Sequence, residues 1–309
     1  MNTLVGPWAD WQPTTTPTSL TIGVLDGVHL GHRALIDSLR PHGTSTVLTF
    51  DPHPIEVLRP GTPPRLITTI DERLALLEAA GVGLTGVLDL AEIQELDPKV
   101  FIKGILVDKL SATSLTVGSD FRFGKDRAGD VALLEDQGRG YGYEVDAIDL
   151  VTDLGEPISS SRIRALIESG DVAGAAALLG SRYRISNEVV HGDKRGHDMG
   201  FPTANLLPPE RKVIPGSGVY AAVGYLDGAA HMAAVNVGIR PTFGGGELLI
   251  EAFLLDYDSD LYGQLLTIEF VAKLRPELEF DGVEALVARM HEDVEETREI
   301  LGKLDPLVG

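Results

Sequence analysis

The feature that most constrains the fold is a change of hydrophobic rhythm close to Ser181. Before it, short apolar runs alternate with helical patterns; after it, runs rich in β-branched and aromatic residues follow one another with only turn residues between them. The first rhythm is typical of βαβ units with a mostly parallel, Rossmann-like sheet, and the second of an antiparallel barrel or sandwich. The sequence therefore predicts an α/β domain over residues 1–181 and an antiparallel β domain over residues 182–309.

The individual elements follow from the same patterns. In the first part we expect strands at 19–25, 47–50, 86–90, 114–117 and 143–150 and helices at 31–39, 72–80, 98–110 and 131–137. A further helix should begin at Ser159 or Ser160 and end at Gly170, and the next should run from Asp171 to Gly180. In the second part we expect strands at 183–190, 218–225, 232–237, 248–255 and 265–271, and a helix over 282–301 that packs on them.

Composition excludes several classes of function. The chain has 309 residues, enough for two cores, and a formal net charge of -20, which argues against extended binding to nucleic acid or to an anionic membrane. The absence of cysteine excludes disulfides and thiolate metal sites and fits a cytoplasmic protein. No apolar run reaches the roughly 18 residues of a membrane span. The oligomeric state stays open, and a homo-oligomer is allowed.

Glycines and histidines follow the first predicted strand. Gly23 and Gly31 let the backbone bend, and the start of the next helix offers unpaired amides to a phosphate. His29 and His32, three residues apart, can point at the same anion and stabilise charge that builds on a reacting phosphorus. With Asp26, this pattern predicts a phosphate-binding loop. A surface turn or a metal site formed by Asp26 and the two histidines are the alternatives.

A second cluster opens the predicted helix near residue 160. Ser160, Ser161 and Arg164 place hydroxyls and a guanidinium on one helical turn. A serine-rich start alone is an ordinary helix cap. Together with the histidine motif, it is interpreted as a clamp for a leaving pyrophosphate.

The second part of the chain has its own cluster of turn and basic residues ahead of an extended segment. Thr203 and Asn205, two apart, offer neutral oxygens suited to Mg²⁺ bound with phosphates. A glycine-rich hairpin beside an edge strand is the alternative. The other residues predicted to bind ATP there are Gly192, Lys194, Arg195, His197, Gly200 and Pro202.

Glu251 lies within an otherwise apolar predicted strand. Alternation places it on the face shared with Leu249, Phe253 and Leu255. A carboxylate in an apolar row is costly unless it performs chemistry or lies at a barrel mouth. Glu251 is therefore a candidate general base, with a surface position at the barrel end as the alternative.

The first set of motifs resembles a known family. Segment 23–32 resembles the HxGH signature of the nucleotidyltransferase superfamily, and segment 158–164 resembles its ISSTxIR partner, with Ser161 where threonine is usual. Segments 49–54 and 117–124 are similar to those of prokaryotic FAD synthetases. The resemblance implies attack of the FMN phosphate on the α-phosphorus of ATP, with the two histidines stabilising the transition state and the 158–164 segment binding the β- and γ-phosphates. It also implies a flavin or adenine side at Asp120, Phe121, Arg122 and Phe123, although the two phenylalanines also fit a core.

The second set resembles riboflavin kinases. Segment 200–205 resembles their GFPTAN motif, and segments 218–220, 236–243 and 261–263 follow in family order. The resemblance implies a six-stranded barrel that transfers the γ-phosphate of ATP to riboflavin, with Thr203 and Asn205 holding Mg²⁺ and ATP and Glu251 as base. His197 stands where the family commonly has arginine, which removes a bidentate contact.

The resemblance as a whole implies a bifunctional enzyme that uses ATP and Mg²⁺ to convert riboflavin to FMN and FMN to FAD. Two alternatives remain at this point. One is an adenylyltransferase with an impaired kinase half, and the other is a flavin-binding protein without catalysis.

Overall fold

The computed structural model describes residues 1–41, 43–59, 61–191, 200–242 and 245–304. The chain divides into two compact units, Met1–Ser160 and Ser161–Gly309.

The first unit contains a six-stranded sheet in which every paired strand is parallel to its neighbour. Its strands are β1 (Asn2–Leu4), β2 (Thr18–Ile22), β3 (Thr44–Phe50), β4 (Leu84–Leu88), β5 (Ala112–Gly118) and β6 (Glu144–Ile148). The spatial order is β1-β4-β3-β2-β5-β6. A short antiparallel pair, β7 (Thr152–Asp153) and β8 (Glu156–Pro157), lies outside this sheet.

Helices connect the strands, and side-chain caps define where most of them start. They are α1 (Leu30–Asp37), α2 (Pro54–Leu58), α3 (Ile70–Ala79), α4 (Leu90–Ile93), α5 (Pro98–Phe101), a π-helix (Ile102–Lys109) and α6 (Val131–Tyr141). Thr69 and Glu72 form a capping box at the start of α3, and Asp130 caps α6. The predicted alternation of strands and helices is confirmed.

Apolar clusters lie on both faces of the sheet, as the doubly wound class requires. On one face, Leu20, Leu48 and Leu115 pack with Ile102 and Leu134. On the other face, Val47 packs with residues of α1, α3 and the turn before α1, namely Leu25, Val28, Ile36 and Leu77. The sheet is therefore covered on both sides and leaves its strand ends for ligands.

The strand order reverses beside β2. From β2 the chain adds β3 and then β4 on one side, and it crosses to add β5 and β6 on the other. In open α/β sheets, ligands bind beyond the carboxyl ends of the strands at such a point. The segment 23–32, which follows β2, therefore lies where the topology predicts a ligand site.

The second unit is a closed barrel with helices at both ends of its sequence. Helices α7 (Ser160–Ser169) and α8 (Val172–Leu179) precede it, and α9 (Val283–Leu301) follows it. The barrel order is β10-β13-β12-β11-β14-β9. Its strands are β9 (Arg184–Val190), β10 (Ala204–Leu206), β11 (Gly218–Leu226), β12 (Ala229–Thr242), β13 (Gly245–Leu254) and β14 (Leu265–Arg275). In the described part of the chain these strands pair antiparallel and the sheet closes on itself, which confirms an antiparallel barrel rather than a sandwich.

Helices α7 and α8 meet at Gly170, which lies directly against the barrel. A Cβ on Gly170 would lie 2.6 Å from Lys273 Nζ and 2.7 Å from the Tyr220 hydroxyl. Because of this contact, α7 and α8 belong to the same compact unit as the barrel. The domain boundary near Ser181 stays a prediction. In the part of the chain that the structure describes, no helix has the length and apolar character needed to cross a bilayer.

Candidate active sites

The loop between β2 and α1 is strained. Leu25 (φ 50°) and Val28 (φ 41°) both have the left-handed backbone conformation, and so does Gly27 (φ 85°). For a β-branched residue such as Val28 this is a genuine outlier, and such strain costs about 1–3 kcal/mol per residue and clusters at functional sites. The surrounding structure must therefore hold the loop in place.

Asp26 supplies that support. Its buried carboxylate accepts hydrogen bonds from the Ile67 amide (3.0 Å), the Thr68 amide (2.9 Å) and the Thr68 hydroxyl (3.0 Å). The Thr68 hydroxyl in turn accepts a hydrogen bond from the Gly27 amide at 3.0 Å. Asp26 thus braces the loop against the segment before α3. Among the described residues no group of three or more His, Cys, Asp or Glu side chains is arranged to hold a metal ion.

The two histidines lie together at the start of α1. Their rings stack with centroids 3.5 Å apart. His29 is buried and caps the helix, because its Nδ1 accepts a hydrogen bond from the His32 amide at 3.3 Å. Since Nδ1 of His29 accepts, its ring proton belongs on Nε2, where it can be donated to a ligand.

Both rings are neutral near pH 7. Burial lowers the pKa of His29 to about 4, although the Asp26 carboxylate opposes that shift. Burial also lowers the pKa of His32 well below its usual value, with smaller contributions in the same direction from His29 and Arg73. Neutral imidazoles donate N–H groups without adding a charge to the loop.

Gly31 allows this stacking. A Cβ at this position would lie 3.1 Å from Cε1 of His29 and 3.4 Å from the Ile158 carbonyl oxygen. The close approach of a ring and a backbone oxygen explains the glycine that follows Leu30. Gly23, at the end of β2, is half-buried, and its amide donates to the Leu48 carbonyl at 3.0 Å.

The serine motif touches the same loop within the first unit. The Ser160 hydroxyl donates to the Asp26 carbonyl oxygen at 3.0 Å. Ser161 and Arg164 belong to the second unit, where Nη2 of Arg164 donates to the Ser161 hydroxyl at 3.2 Å. The structure therefore brings Ser160 to the loop, and the phosphate-binding roles of all three residues stay predictions.

The segment predicted to line the flavin or adenine side follows β5. Phe121 and Phe123 stack with centroids 5.6 Å apart, and Phe123 is buried in the core against Phe101. Asp120 and Arg122 are exposed. Phe123 is therefore a core residue. Asp120, Phe121 and Arg122 have exposed surface that a ligand can reach.

A row of polar side chains crosses three strands of the barrel. Glu251 on β13 is the register partner of Asn205 on β10 and of Asn236 on β12. Register partners point to the same face of a sheet. Asn236 Nδ2 donates to Glu251 Oε2 at 3.4 Å, and Asn205 Nδ2 donates to the Thr203 carbonyl oxygen at 3.4 Å.

This row lies on the less buried face of β13. Ile250, Ala252 and Leu254 form the fully buried row, whereas Glu251 and Phe253 are half-buried. The Phe201 ring packs against the half-buried row, with its centroid 5.2 Å from that of Phe253. The predicted alternation holds through Phe253, and β13 ends before Leu255.

Several predicted ATP-binding residues of the second cluster lie outside the described residues: Gly192, Lys194, Arg195 and His197. Gly200 is exposed and has φ 84°, and Pro202 is exposed as well. Thr203 is half-buried and Asn205 is buried.

Sequence reasoning missed Thr68 and Asn236 as site residues. Thr68 precedes the Thr69-x-x-Glu72 capping pattern, which marks a helix start but does not show what the preceding residue contacts. Asn236 was part of a motif segment, but only the register of three strands places it beside Glu251. That register is not encoded in local sequence.

The family comparisons agree with this division of sites. A family model described as FAD synthetase matches residues 11–162, and one described as riboflavin kinase matches residues 179–301. Together with the histidine loop at the switch point of an α/β sheet and the polar row on a barrel, these matches define the class as a transferase of flavin nucleotide synthesis.

Whole-chain relatives identify the family within that class. The bifunctional riboflavin kinase/FMN adenylyltransferase of Listeria monocytogenes is 35% identical over 93% of this chain and 93% of its own length, and that of Escherichia coli K12 is 37% identical over 93% and 94%. The chain belongs to the family of bifunctional riboflavin kinase/FMN adenylyltransferases.

A solved structure shares the fold of both units. A crystal structure from Streptococcus pneumoniae, titled as a macrolide-efflux protein, has a TM-score of 0.87 and 30% identity and covers 96% of this chain and 99% of its own chain.

Proposed function

We propose that the chain makes both flavin coenzymes. Its second unit phosphorylates riboflavin to FMN with ATP, and its first unit transfers the adenylyl group of ATP to FMN, giving FAD and pyrophosphate. This proposal rests on two candidate sites in one member of the bifunctional family. One is the stacked histidine pair on a braced loop, and the other is the Asn205–Glu251–Asn236 row.

In the adenylyl transfer, an oxygen of the FMN phosphate attacks the α-phosphorus of ATP, and the bond to the β-phosphate breaks as pyrophosphate leaves. His29 and His32 donate N–H groups to the α-phosphate oxygens, and these hydrogen bonds strengthen as negative charge builds. Gly23, Asp26 and Gly31 give the loop its shape.

Pyrophosphate release and flavin binding use the flanking segments. Ser160, Ser161 and Arg164 bind the β- and γ-phosphates, because hydroxyl and guanidinium donors match phosphate oxygens. Asp120, Phe121, Arg122 and Phe123 form the flavin or adenine side, with Phe123 acting from the core behind Phe121.

In the kinase reaction, Glu251 accepts the proton of the terminal ribityl hydroxyl as its oxygen attacks the γ-phosphorus, and ADP leaves. Asn236 donates to Glu251 and so orients its carboxylate. Gly192, Lys194, Arg195, His197, Gly200 and Pro202 belong to the segment that binds ATP.

Mg²⁺ fits the donor set of the second unit. The side-chain nitrogen of Asn205 is engaged with the Thr203 carbonyl, which leaves the amide oxygen of Asn205 and the Thr203 hydroxyl as neutral ligands. A few protein oxygens together with ATP phosphates are the usual magnesium environment. Bound there, the ion would neutralise charge on the phosphates of ATP.

The reaction medium is the cytoplasm, where riboflavin and ATP are available as small-molecule substrates. The enzyme needs neither a nucleic acid nor a membrane for this chemistry, and a homo-oligomer is compatible with it.

The test is chromatography of the products that the purified protein forms from riboflavin, excess ATP and Mg²⁺, with a parallel incubation that starts from FMN. Both FMN and FAD should accumulate from riboflavin. FAD formed only from FMN would show a defective kinase half, and no product from either substrate would favour a flavin-binding protein.

A further inference from the structure

Arg73, on α3, carries a positive charge inside the first unit. Its side chain is only 1% exposed. Nη1 donates to the Thr49 hydroxyl at 3.2 Å and to the Phe50 carbonyl oxygen at 3.0 Å, both at the end of β3. Nε has no hydrogen-bond partner, and in the described part of the chain no carboxylate forms an ion pair with this guanidinium.

A buried charge with no carboxylate in ion-pair contact is unfavourable, because two neutral acceptors do not replace its hydration. Burial accordingly lowers the pKa of Arg73, and the carboxylates of Asp26 and Asp51 partly oppose that effect. The hydrogen bonds to Thr49 and Phe50 alone could be made by a neutral amide. The charge of Arg73 therefore points to a role beyond these two contacts.

The position of Arg73 indicates what that role is. The segment just before α3 braces the loop after β2 through Ile67, Thr68 and Asp26, and one turn later Arg73 holds the end of β3. The charge of Arg73 also lowers the pKa of His32. The start of α3 thus connects the loops after two neighbouring strands, and it adds positive charge behind the stacked histidines.

We propose that Arg73 is a positioning residue for adenylyl transfer: its buried charge favours the phosphates of ATP at the 23–32 loop, while its hydrogen bonds fix the end of β3. This inference rests on the proposed function of the first unit. Since Arg73 is buried, it acts through the field at the loop and through the loop's shape, without touching ATP.

The first test compares Arg73→Met, which removes the charge but keeps the bulk, with Arg73→Lys, which keeps the charge. Arg73→Met should lower kcat/KM for ATP in FAD formation by roughly 100-fold or more, mainly through KM. Arg73→Lys should stay within about ten-fold of the unmodified protein. The matched control is Arg40→Met, since Arg40 pairs with Asp146 away from the loop, and it should leave FAD formation unchanged.

The second readout is the pH profile of FAD formation. His29 and Arg73 are the charged or titratable groups that act on His32, and Asp26 acts on His29. Loss of the Arg73 charge should move the acid limb to higher pH in Arg73→Met, because the pKa of His32 rises. Arg73→Lys should leave the acid limb of the pH profile unchanged.

The outcomes are separable. If the unmodified protein makes no FAD, the proposed function fails; if it makes FAD and Arg73→Met matches its KM for ATP and its pH profile, only the role of Arg73 fails. Unfolding of the first unit is followed by fluorescence of Trp8 and Trp11, the chain's two tryptophans. If Arg73→Met does not fold, Arg73→Lys decides: about 100-fold lower activity at an unchanged unfolding midpoint would overturn the charge role, and activity within ten-fold supports it.

Discussion

His29 and His32 show how one helical turn sets the protonation of two side chains. Nδ1 of His29 accepts a hydrogen bond from the His32 amide. The ring therefore caps the helix and carries its proton on Nε2, which can donate it. Burial then keeps both rings neutral, and the stacked His29 ring further lowers the pKa of His32. The loop therefore offers N–H donors at neutral pH without the cost of two adjacent cations.

The lowered pKa of His29 predicts a pH-dependent stability of the first unit. Between pH 6.5 and about pH 4 the unfolded chain binds a proton at His29 that the folded protein does not, so the free energy of unfolding falls as the pH falls through this window. From pH 7 to pH 5 the loss due to His29 should be about 2 kcal/mol. Urea unfolding followed by tryptophan fluorescence at both pH values measures it.

The control for this effect is His29→Asn, which keeps a polar cap acceptor but does not titrate. In that variant the difference in unfolding free energy between pH 7 and pH 5 should shrink by about the same 2 kcal/mol. An undiminished difference would mean that His29 is not the titrating group.

At the scale of elements, the start of α1 depends on the close approach of His29, Gly31 and Ile158. Gly31→Ala would place a methyl group 3.1 Å from the His29 ring, so the ring or the helix must shift. We expect FAD formation to fall about ten-fold or more while FMN formation persists, because a misplaced donor loses electrostatic stabilisation.

Gly140→Ala is the matched control. Gly140 lies within α6 of the same unit, and a Cβ there would meet nothing within 4 Å. It should leave FAD formation unchanged and stabilise the helix by up to about 1 kcal/mol. Equal activity losses in both alanine variants would contradict the crowding argument.

Helix α9 is attached to the barrel by a buried ion pair. Asp293 on α9 contacts Arg275 at the end of β14, at 2.7 Å to Nη2 and 2.9 Å to Nε. Asp293→Ala leaves the guanidinium without its partner and should cost about 3–5 kcal/mol of unfolding free energy. Calorimetry, with the thermal inactivation of FMN formation as a second measure, reports on this unit.

Asp256→Ala provides the comparison, because Asp256 forms an exposed ion pair with Arg298 of α9. Exposed pairs contribute little, so its unfolding temperature should stay close to that of the unmodified protein. If both variants were destabilised alike, burial of the Arg275 pair would not be the cause.

At the scale of the whole molecule, the chain divides into two compact units, and buried apolar side chains lie within each of them. The doubly wound sheet places its site at the strand ends, whereas the barrel places its polar row across β10, β13 and β12. Because His29 lies in the first unit and Glu251 in the second, we expect a change at either residue to act on one reaction.

This independence predicts complementation. His29→Ala should make FMN but no FAD, and Glu251→Ala should convert added FMN to FAD but make no FMN from riboflavin. A mixture of the two proteins should convert riboflavin to FAD, because FMN released by one is a substrate for the other. Chromatography of the mixture against each protein alone measures this, and absence of FAD in the mixture would show that the sites do not act separately.

The sequence by itself determined the order of strands and helices, the helix caps and the positions of both motif sets. These features depend on neighbours within a few residues, through hydrophobic period, turn residues and caps. His29, His32 and the alternation around Glu251 were therefore within reach of sequence reasoning. The short elements β1, β7, β8, α2 and α4 were missed because each contains too few residues to show a period.

Only the tertiary structure decided which distant residues meet. The bracing of Asp26 by Ile67 and Thr68, the register of Asn236 with Glu251 and the burial of Arg73 against β3 join segments far apart in the chain. Such contacts arise from strand register and from the packing of helices on the sheet, which depend on the whole core and leave no local pattern.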